Sequence, residues 1–316
     1  MTRPTSCSSG WEALRGDPLP WLLDEHRPHL HWRVLVELFD RPVDSPAVRR
    51  ARGGASAAQP VATLLEDLQP DGSWSTNENP WRRYRGPGWR FVAAVAWGAD
   101  PNDPRLETAA RRFLSESLGE GGFAVGRGHS PSPIVTARLV QALVAIGFGH
   151  HLRVQEALAW FEEEPSAWPD RGSVRAVVAS SLVPVVKAAG PRRPGLERRL
   201  VSEVRTAVGS GSGTSSVLGF PNLARTDIGE LLAALALGGV PYARWMREPM
   251  SALQDLQRDG GRWPRLSPRP ASLPMPSGTR GRPGRSCRWV TLRAVVAMNS
   301  YAVDAGLPRL FPDKPT

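Results

Sequence analysis

Cysteine and lysine are almost absent from this chain: Cys7 and Cys287 are its only thiols and Lys187 and Lys314 its only lysines, among 316 residues. Two cysteines cannot build the disulfide framework of a small secreted domain or a zinc site made of thiolates. The N-terminus, MTRPTSCSSGW, lacks the continuous apolar segment of a signal peptide. No run approaches the roughly 20 apolar residues that cross a bilayer. A soluble cytoplasmic protein is the expectation. Disorder is excluded as well, since 41% hydrophobic against 22% charged residues supplies apolar surface for a sizeable core. The 31 glycines and 31 prolines exclude a simple bundle of long helices.

The formal charge of +10 is carried almost entirely by arginine. Genomic base composition explains such a bias as readily as a ligand does. The balance permits nucleic acid, an anionic small molecule or an acidic protein partner and chooses none of them. The arginines are scattered, with modest clusters at 49–52, 82–85, 192–199 and 280–288, rather than gathered in one stripe or tail. Nucleic acid is therefore the less favoured partner.

A repeat runs through the chain. Five helix-like segments end in similar breaks: VLVELFDRPVDSP, FVAAVAWGADPNDP, RLVQALVAIGFGHH, SLVPVVKAAGPRRPG and ELLAALALGGVPYA. With Asp40, Gly98, Gly147, Gly190 and Gly238 as landmarks, the intervals are 58, 49, 43 and 48 residues, the scale of a helical-hairpin repeat. Segments 91–97, 139–146, 177–186, 231–237 and 290–298 are apolar nearly all round and need cover on several sides. Segments 105–114, 153–161, 196–208 and 250–257 are amphipathic, with Glu and Arg on the second face. An inner ring of apolar helices inside an outer ring of amphipathic ones accounts for both patterns. Pro184 should kink or split the inner helix that holds it.

The outer helices leave through turns that resemble one another: LQPDGSW (68–74), LGEGGF (118–123) and LQRDGGRW (256–263). Gly72, Gly121 and Gly260 suit positive φ, Asp71 and Asp259 can accept local backbone hydrogen bonds, and each aromatic can fold back over apolar surface. These residues read as scaffold rather than chemistry.

On these turns, the apolar inner helices and the terminal SCRWVTLRAVVAMNSY, the chain resembles the squalene-cyclase and protein-prenyltransferase superfamily. More narrowly it resembles bacterial single-domain proteins with such repeats. The resemblance covers about residues 20–303 and implies an all-α fold, an α/α toroid, with residues 1–19 a flexible segment and 304–316 a tail. It does not carry the activity. The Asp-rich D-x-D-D acid motif of squalene-type cyclases is missing, and there is one toroid where those cyclases have two domains. Cys287 has no Asp and His placed to complete a prenyltransferase zinc site.

A toroid implies a central cavity, with the N-terminal ends of the inner helices converging on one rim. Those positions hold His31, Trp32 and Arg33; Trp89 and Arg90; Thr136 and Arg138; Arg175; Arg225, Thr226 and Asp227; and Arg288, Trp289 and Arg293. Asp227 stands at the start of a very apolar helix, as a cap or as a base or cation-stabilising carboxylate. Asp170 and His129 are further acid–base candidates, with turn, cap and surface-loop readings beside them. Thr226, Ser132 and Thr136 can cap. Trp32, Trp89 and Trp289 can supply ring faces to an apolar or cationic group, and Arg90, Arg138, Arg175, Arg225, Arg288 and Arg293 can hold a carboxylate or phosphate. His26, His29 and His31 do not define a coordination sphere, and no metal or cofactor is expected.

The stretch GSGSGTSS (209–216) lacks the lysine of a phosphate-binding loop and reads as a connector. The Pro/Gly/Arg-rich stretch 266–285 is a lid over one rim or a surface excursion. The leading expectation is a small-molecule isomerase or terpene-cyclase-like enzyme acting on an apolar or amphiphilic anionic substrate. The alternatives are a non-catalytic small-ligand-binding protein, whose Asp227 would be tied into a cap, and a basic nucleic-acid-binding protein.

Overall fold

Proline opens many of the helices, taking the first position, where its missing N–H costs nothing and its fixed φ suits the turn. The computed structural model describes residues 14–24, 26–74, 79–82, 84, 86–116, 120–126, 128–209, 217–267, 282–306 and 310–311. Their helices, in chain order, are α1 (Leu19–Leu22), α2 (Pro28–Arg33, continued by a π-helical turn Val34–Leu38), α3 (Pro46–Ala57), α4 (Val61–Glu66), α5 (Pro87–Trp97), α6 (Pro104–Glu116), α7 (Pro133–Ala145), α8 (Leu152–Glu163), α9 (Gly172–Leu182), α10 (Pro194–Gly209), α11 (Ile228–Leu237), α12 (Arg247–Asp255) and α13 (Arg288–Tyr301). Extended pairing among the described residues is limited to isolated bridges, such as Leu68 with Trp74 and Arg258 with Arg262. The fold is all-α.

The apolar helices form a closed ring. α5 packs on α7, α7 on α9, α9 on α11, α11 on α13, and α13 on the π turn that follows α2. Arg33 closes the last gap, donating from Nε (2.9 Å) and Nη2 (2.7 Å) to the Ala96 carbonyl near the end of α5. Six inner elements therefore stand in a circle. Outside them α3 packs on α2, α4 on α5, α8 on α7, α10 on α9 and α12 on α11. This is the α/α toroid that the two helix classes predict. The sixth inner element is α2 with its π turn, and the outer helix after it is broken in two around Pro60.

Pro184 does end its helix. α9 stops at Leu182, and residues 183–188 continue as turns, with Val185 and Val186 both donating to the Leu182 carbonyl. A proline there has no N–H for the Ser180 carbonyl, so the ladder cannot pass through it.

The recurring turns are clamps. Trp74 Nε1 donates to Leu64 O (2.9 Å) and Trp263 Nε1 to Leu253 O (2.7 Å), each reaching ten residues back into its own outer helix. A second clamp joins two of the turns to the inner helix that follows. Phe123 N donates to Thr136 Oγ1 and Trp263 N to Thr291 Oγ1, both at 2.9 Å. Thr136 was a candidate cap; its hydroxyl serves this clamp instead. The separations are 13 residues in one case and 28 in the other, so the stretch 266–285 is an insertion between a turn and a helix whose junction is unchanged. Its base is pinned by Arg265 N to Arg285 O (2.9 Å) and Gly284 N to Arg265 O (2.8 Å). Residues 268–281 lie outside the described residues, as do 210–216 and 1–13. From residue 14 the N-terminal segment is docked: Arg15 N donates to Gln257 Oε1 (3.0 Å), and the Trp21 ring lies 4.6 Å from both Arg262 and Arg288.

Candidate active site in the ring

The ring encloses a cavity of about 290 Å³. Val92 and Val95 of α5, Ala142 of α7, Ala233 and Ala234 of α11 and Leu292 of α13 give it an apolar wall. It opens toward the C-terminal ends of the inner helices, where Ala145 and Leu237 line it and are exposed. The N-terminal ends close it, because residues 220–223 cross there and Asn222, Glu230 and Trp289 are buried. The expected rim at the N-terminal ends is thus a floor. A second cavity of about 300 Å³ lies outside the ring, between Val183, Val186, α10 and residues 238–241.

Arg138 organises the floor. Its Nε donates to Leu223 O (2.9 Å), one terminal nitrogen to Arg225 O (3.1 Å) and Asn222 O, and the other to Gln141 Oε1 (3.2 Å) and Glu230 Oε1 (3.0 Å). A guanidinium has five donor hydrogens, and here each nitrogen has an acceptor. Arg138 is 4% exposed and holds the 220–225 segment in place. Its donors are already committed within the protein.

Asp227 and Glu230 form a split carboxyl pair. Asp227 is the N-cap of α11: Oδ1 accepts from Glu230 N (2.9 Å), and Oδ2 accepts from Gly219 N (2.8 Å) and Asn222 Nδ2 (2.7 Å). Gly219 is required at this contact, since a Cβ there would stand 2.7 Å from both Asn222 Oδ1 and Ser267 Oγ. Burial pushes the Asp227 carboxyl above its ordinary range, and the Glu230 charge adds to this against the opposing charge of Arg293. For Glu230, burial also favours the neutral acid, but the Arg138 and Arg293 guanidinium groups outweigh it and hold the carboxyl below its ordinary range. Glu230 lines the cavity, and its second oxygen, Oε2, is buried without a hydrogen-bond partner. Two nearby carboxyls driven in opposite directions are the pattern of an assigned acid and base. Only Glu230 faces the cavity.

The open end carries a different chemistry. Arg33 is spent on the Ala96 carbonyl and on an ion pair with Glu37. Arg33 and Arg52 each lie 4.8 Å from the Trp32 ring centroid. Arg52 reaches the cavity from α3 and makes no hydrogen bond or ion pair among the described residues; its Nε is buried without an acceptor. Burial lowers its proton affinity, the Arg33 charge lowers it further, and Asp100 partly compensates. Arg293 is the other cation with spare donors, bonding only Gly219 O (3.2 Å) while its guanidinium lies 5.5 Å from the Phe220 ring.

Of the residues expected at the site, Trp32, Arg33, Arg138, Trp289 and Arg293 line the cavity. Trp289 stacks on Phe220 at 4.6 Å and on His29 at 6.0 Å. The others are placed elsewhere. Asp170 is exposed and pairs with Arg175 (3.5 Å), which also bonds Pro169 O (2.7 Å) and reaches Glu203 (3.6 Å). His129 is exposed in its loop. Trp89 donates to Trp81 O (3.1 Å), and Arg90 pairs with Asp67. Arg225 contributes its carbonyl, not its side chain, to the floor. Arg288 bonds Trp21 O (2.9 Å) and Asp24 (3.1 Å) on the ring's outside. The reason is common to them: residues at helix starts are drawn into caps, turn clamps and neighbouring loops before they can turn inward.

Two lining residues were not singled out from sequence although their signals are there. Glu230 follows Asp227 by three residues, a carboxylate one turn inside a helix that is otherwise wholly apolar. Arg52 shares an i, i+4, i+7 face with Val48 and Ala55, both fully buried, while Arg49 and Arg50 beside it are exposed.

Among the described residues no group of three His, Cys, Asp or Glu side chains is arranged to hold a metal ion, and no helix is long and apolar enough to cross a membrane. No family model and no curated protein matches the sequence. Among solved structures the chain aligns with the type II terpene cyclase MstE from Scytonema (apo), at 17% sequence identity over 87% of this chain and 88% of that one, with a TM-score of 0.42.

Proposed function

We propose that the chain is a small-molecule enzyme of the isomerase or cyclase type, acting on an apolar or amphiphilic anionic substrate held in the central cavity. The observation that carries this reading is Glu230: a carboxylate held in its charged form beside Arg138 and Asn222, with Oε1 on Arg138 and Oε2 without a hydrogen bond, at the polar floor of an otherwise apolar cavity. Such a group takes a proton from a carbon acid or stabilises a cationic carbon beside it. Isomerisation returns the proton to another carbon of the same molecule, so the step balances without a co-reactant. Trp32 and Trp289 add aromatic surface to the lining that the apolar body meets. Asp227, held by three donors as the cap of α11, supports a positioning role toward Glu230 rather than contact with substrate.

The test is exchange in deuterated water. Unsaturated carboxylates and isoprenoid alkenes are incubated with the protein, and deuterium in the recovered ligand is read by mass spectrometry. Wild-type protein should introduce deuterium, and Glu230→Gln should still bind ligand while exchange falls by about 100-fold or more. Unchanged exchange in Glu230→Gln removes the carboxylate from the mechanism. Binding without any exchange by the wild type supports the non-catalytic ligand carrier, which the capped Asp227 also fits.

A further inference from the structure

Arg52 is the group in the cavity whose place the fold does not explain. A guanidinium is drawn into a partly buried site when carboxylates or carbonyls there accept its hydrogens. Arg138 and Arg33 both satisfy that rule, with carbonyl and carboxylate acceptors for each. Arg52 does not. Its Nε is buried with no acceptor, the Arg33 charge lies nearby, and the Asp100 carboxylate offsets that charge only in part and makes no ion pair with Arg52, its Oδ1 accepting from Asn102 N (3.0 Å) and Nδ2 (3.1 Å). Its guanidinium is fixed over the Trp32 ring at 4.8 Å, and both side chains line the open end of the cavity.

We propose that Arg52 is the anion-binding residue of the cavity, holding a carboxylate or phosphate head at the open end while the ligand's apolar body runs inward between α5, α7 and α11 toward Glu230. This rests on the reading that the central cavity takes an apolar or amphiphilic ligand, and it adds the ligand's direction and the residue that recognises its charge. The direction follows from the charges at the two ends. At the floor an anionic head would meet the Glu230 carboxylate, Arg138 has no donor left for it, and Arg293, although it has donors to spare, is already engaged by the charges of Asp227 and Glu230. At the mouth the head meets a guanidinium with free donors, already oriented by a ring face. Of the arginines first suggested for this role, Arg90, Arg175 and Arg288 are bound to Asp67, to Asp170 and Glu203, and to Asp24, while Arg138 and Arg293 stand at the floor and Arg225 gives it only its carbonyl.

The arrangement makes a prediction that a structural arginine would not. Removing a desolvated cation beside another cation relieves the folded state, while removing a salt-bridged one weakens it. Isothermal titration of wild type and Arg52→Gln with decanoate, decyl phosphate and decanol, together with thermal melts, separates the cases. The wild type should bind the two anions about ten-fold or more tighter than decanol, and the preference should fall below about three-fold in Arg52→Gln with no loss of Tm. Tighter binding of the phosphate than of the carboxylate, or the reverse, identifies which head the site prefers, and either order agrees with the proposal. A preference for anions that survives in Arg52→Gln overturns it and leaves the cavity reading standing. A lowered Tm with equal loss of all three ligands also overturns it, because that is a packing residue. If none of the three binds the wild type, the cavity reading itself fails and this inference falls with it.

Discussion

Arg138 at the closed end of the cavity donates to three main-chain carbonyls, to Gln141 and to Glu230, whereas Arg52 at the open end has a ring face and no acceptor. The two residues are the same chemical group in the same cavity. What separates them is how much of their hydrogen-bonding capacity the fold itself consumes. At the floor the guanidinium is consumed by Glu230, Gln141 and the 220–225 segment that it holds. The mouth leaves the Arg52 Nε without an acceptor, and on the proposal above a ligand's anionic head supplies one. Substitutions at the floor should therefore appear chiefly in stability and those at the mouth in binding.

The largest effect is expected from Arg138→Met. It leaves the Glu230 carboxylate buried without its partner and frees the carbonyls of Asn222, Leu223 and Arg225. Breaking a buried pair from one side costs about 3–5 kcal/mol. Urea unfolding followed by tryptophan fluorescence should show that loss. A change below about 1 kcal/mol would mean that the floor is not held by Arg138 and would erase the contrast with Arg52.

Asp227→Ala comes next. The lost N-cap is worth about 1 kcal/mol, and Gly219 N and Asn222 Nδ2 each become a buried donor without an acceptor, so about 3 kcal/mol in all is the expectation. Folding the variant at low temperature and measuring exchange into a bound ligand then separates two roles. A positioning residue for Glu230 slows exchange without abolishing ligand binding. A purely structural cap leaves exchange per folded molecule unchanged.

The architecture was legible in the sequence because it rests on periodicity. Helices apolar all round, helices apolar on one face and glycine-marked turns between them leave few arrangements other than two concentric rings, and Pro184 announced where one inner helix stops. The site was legible only in part. Position along a helix was readable, so Arg138, Trp289 and Arg293 were found, but the direction of the ring's opening was not, since nothing local says which end a crossing segment such as 220–223 will close. Trp89, Arg90, Arg175 and Arg288 have the same sequence context as the residues that do face the cavity. Their difference lies in partners 5 to 267 residues away along the chain, such as Asp170 for Arg175 and Trp21 for Arg288. Arg52 was hidden by its neighbours: in a cluster of three arginines, only the burial of Val48 and Ala55 shows which one turns inward.

The smallest effects sharpen the comparison most, because the same change can be made on both sides of it. Arg293 lowers the pKa of both floor carboxyls, and Arg52 touches neither. Glu230, held below its ordinary range, contributes stability that is present above the ordinary carboxylate pKa of about 4.3 and is lost as the pH falls through its folded value. Asp227, held above its ordinary range, contributes in the opposite sense: its share is complete below about pH 3.9 and is lost as the pH rises through its folded value. Arg293→Gln raises both folded pKa values, which removes part of the gain at Glu230 and deepens the penalty at Asp227. Both shifts destabilise at neutral pH; the Asp227 share fades below about pH 4, and the Glu230 share fades only as the pH falls through its folded value, so the penalty at pH 3.5 is smaller than at pH 7. Arg52→Gln should show no such slope, and its stability should equal or exceed that of the wild type at both pH values. Paired denaturation curves at pH 7 and pH 3.5 test this directly. Parallel behaviour of the two variants would mean that mouth and floor are one electrostatic unit, and the ligand's anionic head would then have to be sought beside Arg293.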